Sequence, residues 1–136
     1  MIPKIIHYCW FGGKPLPPSA LKCKKSWEKF FPDYEIKEWN EGNFDIDMMP
    51  FTREAYAAKK YAFVSDVARF WVLYQEGGLY FDTDVKVLKN MQPLIDNCEA
   101  FCGFEFSMVA PGLVLYAKEP KNNVINETLD VYKNTL

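Results

Sequence analysis

The chain has 136 residues, of which 49% are hydrophobic and 17% are aromatic, and its formal net charge is -2. This composition excludes a disordered chain, and the even mixture of acidic and basic residues excludes the basic surface of a nucleic-acid-binding protein. No apolar run reaches the roughly eighteen residues of a membrane span. We therefore expect a single domain over 1–136 with a hydrophobic core.

The N-terminal third of the chain predicts a strand, a helix and a second strand. β-branched and aromatic residues predict a buried strand over 2–11, and the lack of a cleavage site argues against a signal peptide. After a stretch rich in glycine and proline, Ser19 is the predicted N-cap of a helix that ends near Phe31. Alternation over 34–39 predicts a second strand, and 40–50 is predicted to be a loop.

The middle of the chain predicts a long helix that leads directly into a third strand. Apolar residues recur at helical spacing from Thr52 to Glu76, with a break near Tyr61. The recurring residues are Phe63, Val67, Phe70, Trp71 and Tyr74. The glycine pair at 77–78 ends the helix, because glycine accepts a backbone conformation that a helix end often needs. "LYF" (79–81) then predicts the third strand.

The C-terminal part predicts further strands and a last helix. "VKVL" (85–88) follows two aspartates, "AFCGFEF" (100–106) and "GLVLYAKE" (112–119) have the composition of strands, and 122–134 has a helical pattern. Strands that alternate with helices predict an α/β fold with a mixed sheet.

The cysteines and the single histidine predict no zinc site. Without a secretion signal, we expect Cys9, Cys23, Cys98 and Cys102 to be free thiols in a reducing cytoplasm. The chain has no CxxC pair, and His7 lies within the first predicted strand, where a packed core histidine is the simpler interpretation.

Two acids follow the third predicted strand, at a position that favours a ligand site. Ligands of α/β sheets bind beyond the carboxyl ends of strands, and Asp82 and Asp84 are two residues apart, so both can face one cleft. Paired carboxylates suit Mg²⁺ or Mn²⁺. A calcium-binding EF-hand loop is a weak alternative, because Val87 and Pro93 stand where glycine and glutamate are required. The alternative is a solvated turn.

A second polar pair lies on the preceding helix. Asp66 and Arg69 are three residues apart and share one helical face. An ordinary ion pair within the helix would explain them equally well. However, the helix runs through the glycine pair directly into the two acids, and this short connection keeps the polar groups near one another.

Three separated motifs carry a resemblance to a known family. "IPKIIHYCWFGG", then "SW" with "FPDYEIKEWN", then "YAFVSDVARFWVLYQEGGLYFDTDV" occur in that order. The chain resembles the DXD-containing glycosyltransferases of the Och1-like, capsular-polysaccharide-synthesis group, and clostridial glucosylating toxins have a similar core. The resemblance covers most of 2–90 and implies a GT-A-type fold, which is a nucleotide-binding sheet with helices on both faces.

The resemblance also implies a reaction. We expect transfer of a hexose from a UDP- or GDP-linked sugar to a glycan or lipid-linked glycan acceptor, with retention of the anomeric configuration and with Mn²⁺ or Mg²⁺ as cofactor. Such an enzyme could work in the cytoplasm or at the inner face of a membrane, in the synthesis of a polysaccharide.

Residue by residue, the resemblance implies a donor site. Trp10 matches an aromatic ring that stacks on the base, and Asn40 matches a base-contacting position. Asp66 and Arg69 match the groups that bind the donor sugar and its diphosphate, and we assign them the catalytic role. The donor-contacting positions of the third strand correspond to Tyr80 and Asp82. Asp84 matches the direct metal ligand, with Asp82 as the second metal position.

Other functions remain open at this stage. Domains of the family continue beyond residue 136, so the chain could be the N-terminal part of a longer catalytic domain. It could then hold a nucleotide sugar without turnover, or it could be a non-catalytic interaction module with acids in surface turns. Trp10 could also be a core residue.

Overall fold

The computed structural model describes residues 3–105 and 107–134. Ile2 of the first predicted strand and Phe106 of the strand predicted over 100–106 therefore lie outside the described residues. In chain order the elements are β1 (Ile5–Cys9), α1 (Pro18–Phe30), β2 (Glu35–Trp39), a 3₁₀ turn (Ile46–Met48), α2 (Pro50–Ala57), α3 (Tyr61–Glu76), β3 (Gly78–Tyr80), α4 (Gln92–Asn97), β4 (Ala100–Glu105), β5 (Met108–Ala117) and α5 (Asn123–Lys133).

The five strands form one mixed sheet in the order β2-β1-β3-β5-β4. β1 pairs in parallel with both β2 and β3, whereas β5 is antiparallel to β3 and to β4. Parallel neighbours require a crossover, and α1, α2 and α3 provide the crossover connections. The predicted α/β fold with a mixed sheet is confirmed.

Both faces of the sheet are covered, because successive strand residues point to opposite sides. On one side Ile6, Leu79 and Tyr116 pack with Trp27 of α1 and Ile95 of α4. On the other side lies a second cluster, built from residues of α2, α3 and α5 together with Cys9, Tyr80, Leu115 and Ala117 of the strands. The carboxyl ends of β1 and β3 are thereby held side by side.

The predicted break in the long helix is real, and the glycine pair ends the second part. α2 ends at Ala57, Lys59 has a positive φ of 60°, and α3 starts at Tyr61. At the other end of α3, Gly77 has φ 70° and its N–H donates to the carbonyl of Leu73. Gly78 is also required, because a Cβ there would lie 2.7 Å from the backbone oxygen of Ile5. The turn therefore brings β3 close beside β1.

His7 is a core residue, as its place in the first strand predicts. It is fully buried, its Nδ1 accepts a hydrogen bond from Nε1 of Trp39, and its Nε2 donates to the carbonyl of Gly77. Indole can only donate, so the ring is held as the neutral tautomer with its proton on Nε2. Burial lowers its pKa. His7 therefore ties β2 and the α3–β3 turn to β1.

Several element boundaries and side-chain positions differ from the sequence-based expectations. Ser19 is not an N-cap: α1 begins at Pro18, whose fixed φ suits the first helical position. Phe63 is not a core residue, because it is 47% exposed and lies under the ammonium group of Lys60. The segment 85–88 forms no strand, although Val87 is buried and its N–H donates to Ser26. The long helical segment begins with α2 at Pro50 instead of at Thr52, and α4 was not predicted.

The predicted free thiols are confirmed for all four cysteines. Within the described residues, no helix is long and apolar enough to cross a membrane.

Candidate functional site

A cleft of about 690 Å³ opens beyond the carboxyl ends of β1 and β3. Three chain segments form its walls. They are the segment after β1, with Trp10 and Lys14; the α2–α3 turn and first half of α3, with Lys59 and Ser65; and the segment after β3, with Asp82 and Asp84. The predicted location of the acids, at the end of the third strand, is therefore also the location of the cleft.

Arg69 is the centre of the charged cluster in this cleft. Its Nη2 lies 3.1 Å from Oδ1 of Asp66 and 3.2 Å from Oδ1 of Asp82. The guanidinium carbon lies 5.3 Å from the centroid of the Tyr80 ring, and the hydroxyl of Tyr80 donates a 2.6 Å hydrogen bond to Asp82. The pair predicted on α3 and the acid predicted after β3 therefore meet in one cluster.

Burial distinguishes this cluster from a surface ion pair. The side chain of Arg69 is 10% exposed, whereas exposed pairs that contribute little to stability sit in water. Its Nε is buried and has no hydrogen-bond partner among the described residues. A buried donor of this kind carries a desolvation cost, so Arg69 is held in the cleft at some expense to folding.

The protonation behaviour of the two aspartates has the same cause. Burial raises the pKa of Asp82, and the guanidinium of Arg69 and the hydroxyl of Tyr80 oppose that rise. Burial also raises the pKa of Asp66, against the opposing charge of Arg69. Burial works to lower the pKa of Arg69, but the neighbouring acidic groups outweigh it and its pKa is raised. Burial and charge pairing therefore act in opposite directions on the carboxylates of this partly dehydrated site.

Below the charged cluster lies a neutral layer. The Tyr80 side chain is fully buried, and burial raises the pKa of its hydroxyl well above the ordinary value. Burial raises the pKa of the adjacent Cys9 thiol to about 12. Both groups stay neutral near pH 7, so Tyr80 acts as a hydrogen-bond donor that fixes the carboxylate of Asp82.

Gly112 of β5 forms a close wall of the same cluster. Its carbonyl accepts a 2.9 Å hydrogen bond from the N–H of Asp82. A Cβ at this position would overlap Oδ2 of Asp82 and would lie 2.9 Å from Nη1 of Arg69. Glycine inside a strand often marks a close approach of other groups, and that was the only sequence signal for this residue.

Asp82 and Asp84 have different environments, although both line the cleft. Oδ1 of Asp82 already accepts from Tyr80 and Arg69, whereas Asp84 is exposed and its carboxylate has no hydrogen bond or ion pair with other described residues. The described residues contain no cluster of three His, Cys, Asp or Glu side chains that could hold a metal. A cation held by Asp84 would need ligands from substrate and water, which is how Mg²⁺ and Mn²⁺ commonly bind beside phosphates. The residues present therefore fit such an ion.

Trp10 lies between this cleft and a second one of about 710 Å³, and it lines both. It is half-buried, and its Nε1 donates a 2.6 Å hydrogen bond to the carbonyl of Lys14. Asn40 lines only the second cleft. Its Nδ2 donates to Glu38 and its Oδ1 accepts from the N–H of Gly42, so it also shapes the turn after β2.

Of the seven predicted site residues, four line this cleft: Trp10, Arg69, Asp82 and Asp84. Asp66 and Tyr80 are not among its lining residues but contact Arg69 and Asp82, and Asn40 lines only the second cleft. The site also contains residues that the sequence did not indicate: Gly112, Lys14 and Lys59. The two lysines had no detectable signal, since single lysines in loops are common on any soluble surface.

Comparison with known proteins adds a family model and several relatives. The model "Glycosyltransferase sugar-binding region containing DXD motif" matches residues 17–101. Inositol phosphoceramide mannosyltransferase 3 of Schizosaccharomyces pombe is 33% identical over 98 residues, which cover 69% of this chain and 27% of that protein. The initiation-specific alpha-1,6-mannosyltransferase of Candida albicans is 30% identical over 107 residues, covering 71% of this chain and 28% of that protein. The chain thus spans little more than a quarter of these two relatives.

A solved structure shares the fold. The PaToxG glycosyltransferase superposes with a TM-score of 0.70 over 95% of this chain and 58% of that one, at 20% identity. At this identity the likeness concerns the fold, and it confirms the predicted GT-A-type architecture with a toxin-like core.

Proposed function

The chain belongs to the family of glycosyltransferases whose sugar-binding region contains a DXD motif, and on this premise we propose that it transfers a hexose from a nucleoside-diphosphate sugar to a glycan acceptor. The observation that carries the proposal is the junction of Arg69 with Asp66 and Asp82 at one cleft, which Arg69, Asp82 and the exposed Asp84 line. The buried guanidinium of Arg69 can bind oxygens of a sugar or a diphosphate, and the exposed carboxylate of Asp84 can bind a metal ion beside them.

The charged side chains of the site would bind different parts of the donor. Arg69 would meet diphosphate or sugar oxygens with a fixed positive charge in a partly dehydrated site, where such contacts are stronger than in water. Asp66, which is half-exposed, would accept hydrogen bonds from sugar hydroxyls. Tyr80 would hold Asp82 in place, and Asp82 in turn orients Arg69.

Asp84, with Asp82 near it, would hold the divalent cation. The guanidinium of Arg69 is paired with Asp66 and Asp82, and Asp84 lines the same cleft, so this part of the site carries more negative than positive charge. A divalent cation would offset that charge for an incoming diphosphate. When bound, Mn²⁺ or Mg²⁺ would neutralise the negative charge that develops on the departing nucleoside diphosphate. Asp84 supplies the free carboxylate for it.

Trp10 would provide the aromatic face for the base, with Asn40 nearby in the adjoining cleft. Because the relatives are named mannosyltransferases, mannose is the first hexose to test, in its GDP-linked form beside the UDP-linked sugars. Retention at the anomeric carbon and a place in polysaccharide synthesis are proposed with it. No residue of the cleft is assigned as a nucleophile.

The second candidate function is binding without turnover. It is favoured by one observation: the chain spans about a quarter of its mannosyltransferase relatives, which leaves room for acceptor contacts elsewhere. In that case 1–136 would be the donor-binding part of a longer catalytic domain.

Calorimetry with UDP and GDP, each with and without Mn²⁺, tests the proposal, and release of free sugar from the linked donors separates transfer from binding. We expect Mn²⁺-dependent binding of one of the two nucleotides. In Asp66→Ala, affinity for the nucleotide sugar should fall while affinity for the bare nucleotide stays nearly unchanged. Equal losses of affinity for the nucleotide sugar and the bare nucleotide would show that Asp66 does not bind the sugar. Failure of both nucleotides to bind in the presence of Mn²⁺ would refute the proposed function.

A further inference from the structure

Lys59 adopts a backbone conformation that lysine rarely takes. It follows Ala58, the C-cap of α2, and has φ 60°. Its N–H donates to the carbonyl of Tyr56 and the next N–H donates to that of Ala55, which together form the Schellman ending of a helix. Glycine is strongly preferred at this position, because a side chain is strained there. The chain does place a glycine, Gly77, at the end of α3.

The strained lysine lines the cleft of the charged cluster. Lys59 and Lys14 both lie on its walls, and they come from the α2–α3 turn and the β1–α1 loop. Asp82 and Asp84 come from the segment after β3. The cleft therefore has cations and anions on different chain segments, with both lysines exposed to solvent.

A purely structural explanation for Lys59 is available and makes a different prediction. Lysine near a helix C-terminus interacts favourably with the helix dipole. Lys60 is the adjacent residue, and its ammonium group lies over the ring of Phe63 in α3. If the helix dipole explained Lys59, removing its charge would lower stability and leave the affinity for a ligand unchanged.

We propose that Lys59 and Lys14 bind the phosphate oxygens of the nucleoside diphosphate, as positioning charges additional to Arg69 and the metal-binding acids. The proposal rests on the proposed function. An ammonium group is a compact point charge with three donors, which suits phosphate oxygens of changing orientation. Backbone strain retained at a cleft wall is the kind of outlier from which a functional role is inferred.

The size of the effect follows from exposure. A unit charge pair about 4 Å apart in water is attracted by about 1 kcal/mol, or about a fivefold change in affinity. Because both lysines are exposed, we expect a loss of about fivefold for each one removed, and a weaker dependence of affinity on salt.

The test compares four variants at the strained positions. Lys59→Gly and Lys59→Asn remove the charge and relieve the backbone, whereas Lys59→Arg keeps the charge. Lys121→Gly is the matched control, since Lys121 is also exposed with φ 62° but lines neither cleft. The ligands are UDP, GDP, uridine, guanosine and inorganic pyrophosphate, all with Mn²⁺, and Tm is measured for every variant.

We expect Lys59→Gly and Lys59→Asn to bind the diphosphates and pyrophosphate about fivefold more weakly, with nucleosides unaffected and Tm at or above that of the unaltered protein. Lys59→Arg and Lys121→Gly should bind within twofold of it. Unchanged pyrophosphate and nucleotide affinity in Lys59→Gly, or a lower Tm with unchanged affinity, would overturn the proposal.

The pyrophosphate arm separates this proposal from the proposed function. If the unaltered protein binds pyrophosphate but neither nucleotide, the proposed function fails, and the loss in Lys59→Gly still decides the role of the lysine. If it binds none of the ligands, both proposals are overturned.

Discussion

A methyl group at position 112 is the sharpest probe of the charged cluster. In Gly112→Ala the new Cβ would overlap Oδ2 of Asp82 and stand 2.9 Å from Nη1 of Arg69. The φ of Gly112 is not in the positive region, so the alanine brings no backbone strain of its own. The perturbation is therefore confined to the contact between β5 and the two charged side chains.

The cost depends on what Asp82 gives up when it moves. Its carboxylate would have to leave the 2.6 Å hydrogen bond from Tyr80 and the 3.2 Å contact with Arg69. Hydrogen bonds to charged groups contribute about 1.5–3 kcal/mol each, but Asp82 is 35% exposed and water can replace part of the loss. We expect Gly112→Ala to lower the free energy of unfolding by about 1–3 kcal/mol, the usual range for overpacking.

A double-mutant cycle with Asp82 identifies the cause. Urea unfolding should be measured for Gly112→Ala, Asp82→Ala and the double variant. Once the carboxylate is absent, most of the overlap is gone, so the double variant should be more stable than the sum of the single losses by about 1–2 kcal/mol. Calorimetry on the same proteins should show weaker nucleotide-sugar binding in Gly112→Ala.

Gly103→Ala is the matched control. A Cβ at this position would meet the side chains of Leu113 and Val114, at 2.9 Å and 3.1 Å, instead of charged groups. It should therefore leave nucleotide binding unchanged and show no coupling to Asp82. Additive losses in the Asp82 cycle, or unaltered stability in Gly112→Ala, would refute the close packing of Gly112 against the cluster.

Three further predictions concern the ligands and the protonation of the cluster. Asp84→Ala should abolish the Mn²⁺ dependence of nucleotide binding without lowering Tm, because Asp84 is exposed; unchanged affinity in calorimetry would remove Asp84 from the metal site. Trp10→Ala should weaken nucleotide binding by about 1–3 kcal/mol if the ring stacks on the base. Trp10→Phe loses the hydrogen bond to Lys14 but keeps an aromatic ring, and because of that ring it should retain most of the affinity. A lower Tm in Trp10→Ala with unchanged affinity would make Trp10 a core residue. Burial raises the pKa values of Asp66 and Asp82, so the folded state holds these protons more tightly than the unfolded state. Their contribution to stability is present below the unfolded pKa and is lost as pH rises through the folded pKa. Asp66→Asn should therefore flatten the fall in Tm as pH rises from about 4 towards neutrality; a profile parallel to that of the unaltered protein would contradict this.

The site could be predicted from sequence where its parts are close in the chain. Arg69 and Asp82 are separated by one helix end, a glycine pair and a three-residue strand, and each of those has a local signal. Three-residue spacing on a helix places Asp66 beside Arg69 whatever the fold around it. The resemblance to a DXD family added the roles of Tyr80 and Trp10, which no local pattern provides.

Local rules failed where two signals competed at a boundary. Ser19 has the side chain of an N-cap, but Pro18 can begin the helix one residue earlier without needing a cap. Phe63 falls on the periodic apolar pattern, yet α3 turns that position towards solvent because Val64 and Val67 fill the space against the sheet. Apolar periodicity predicts that a helix has a buried face, but it does not define which residues lie at the edges of that face.

The sequence by itself determined the α/β class, the break before α3, the glycine ending and the acids at a strand end, since each depends on residues within about one turn or one strand of one another. Only the tertiary structure decided which distant residues join them. Gly112 reaches Asp82 through the antiparallel pairing of β5 with β3, and Lys14 and Lys59 enter the cleft from separate loops. Strand register and loop approach are set by packing of the whole core, and no short stretch of sequence contains that information.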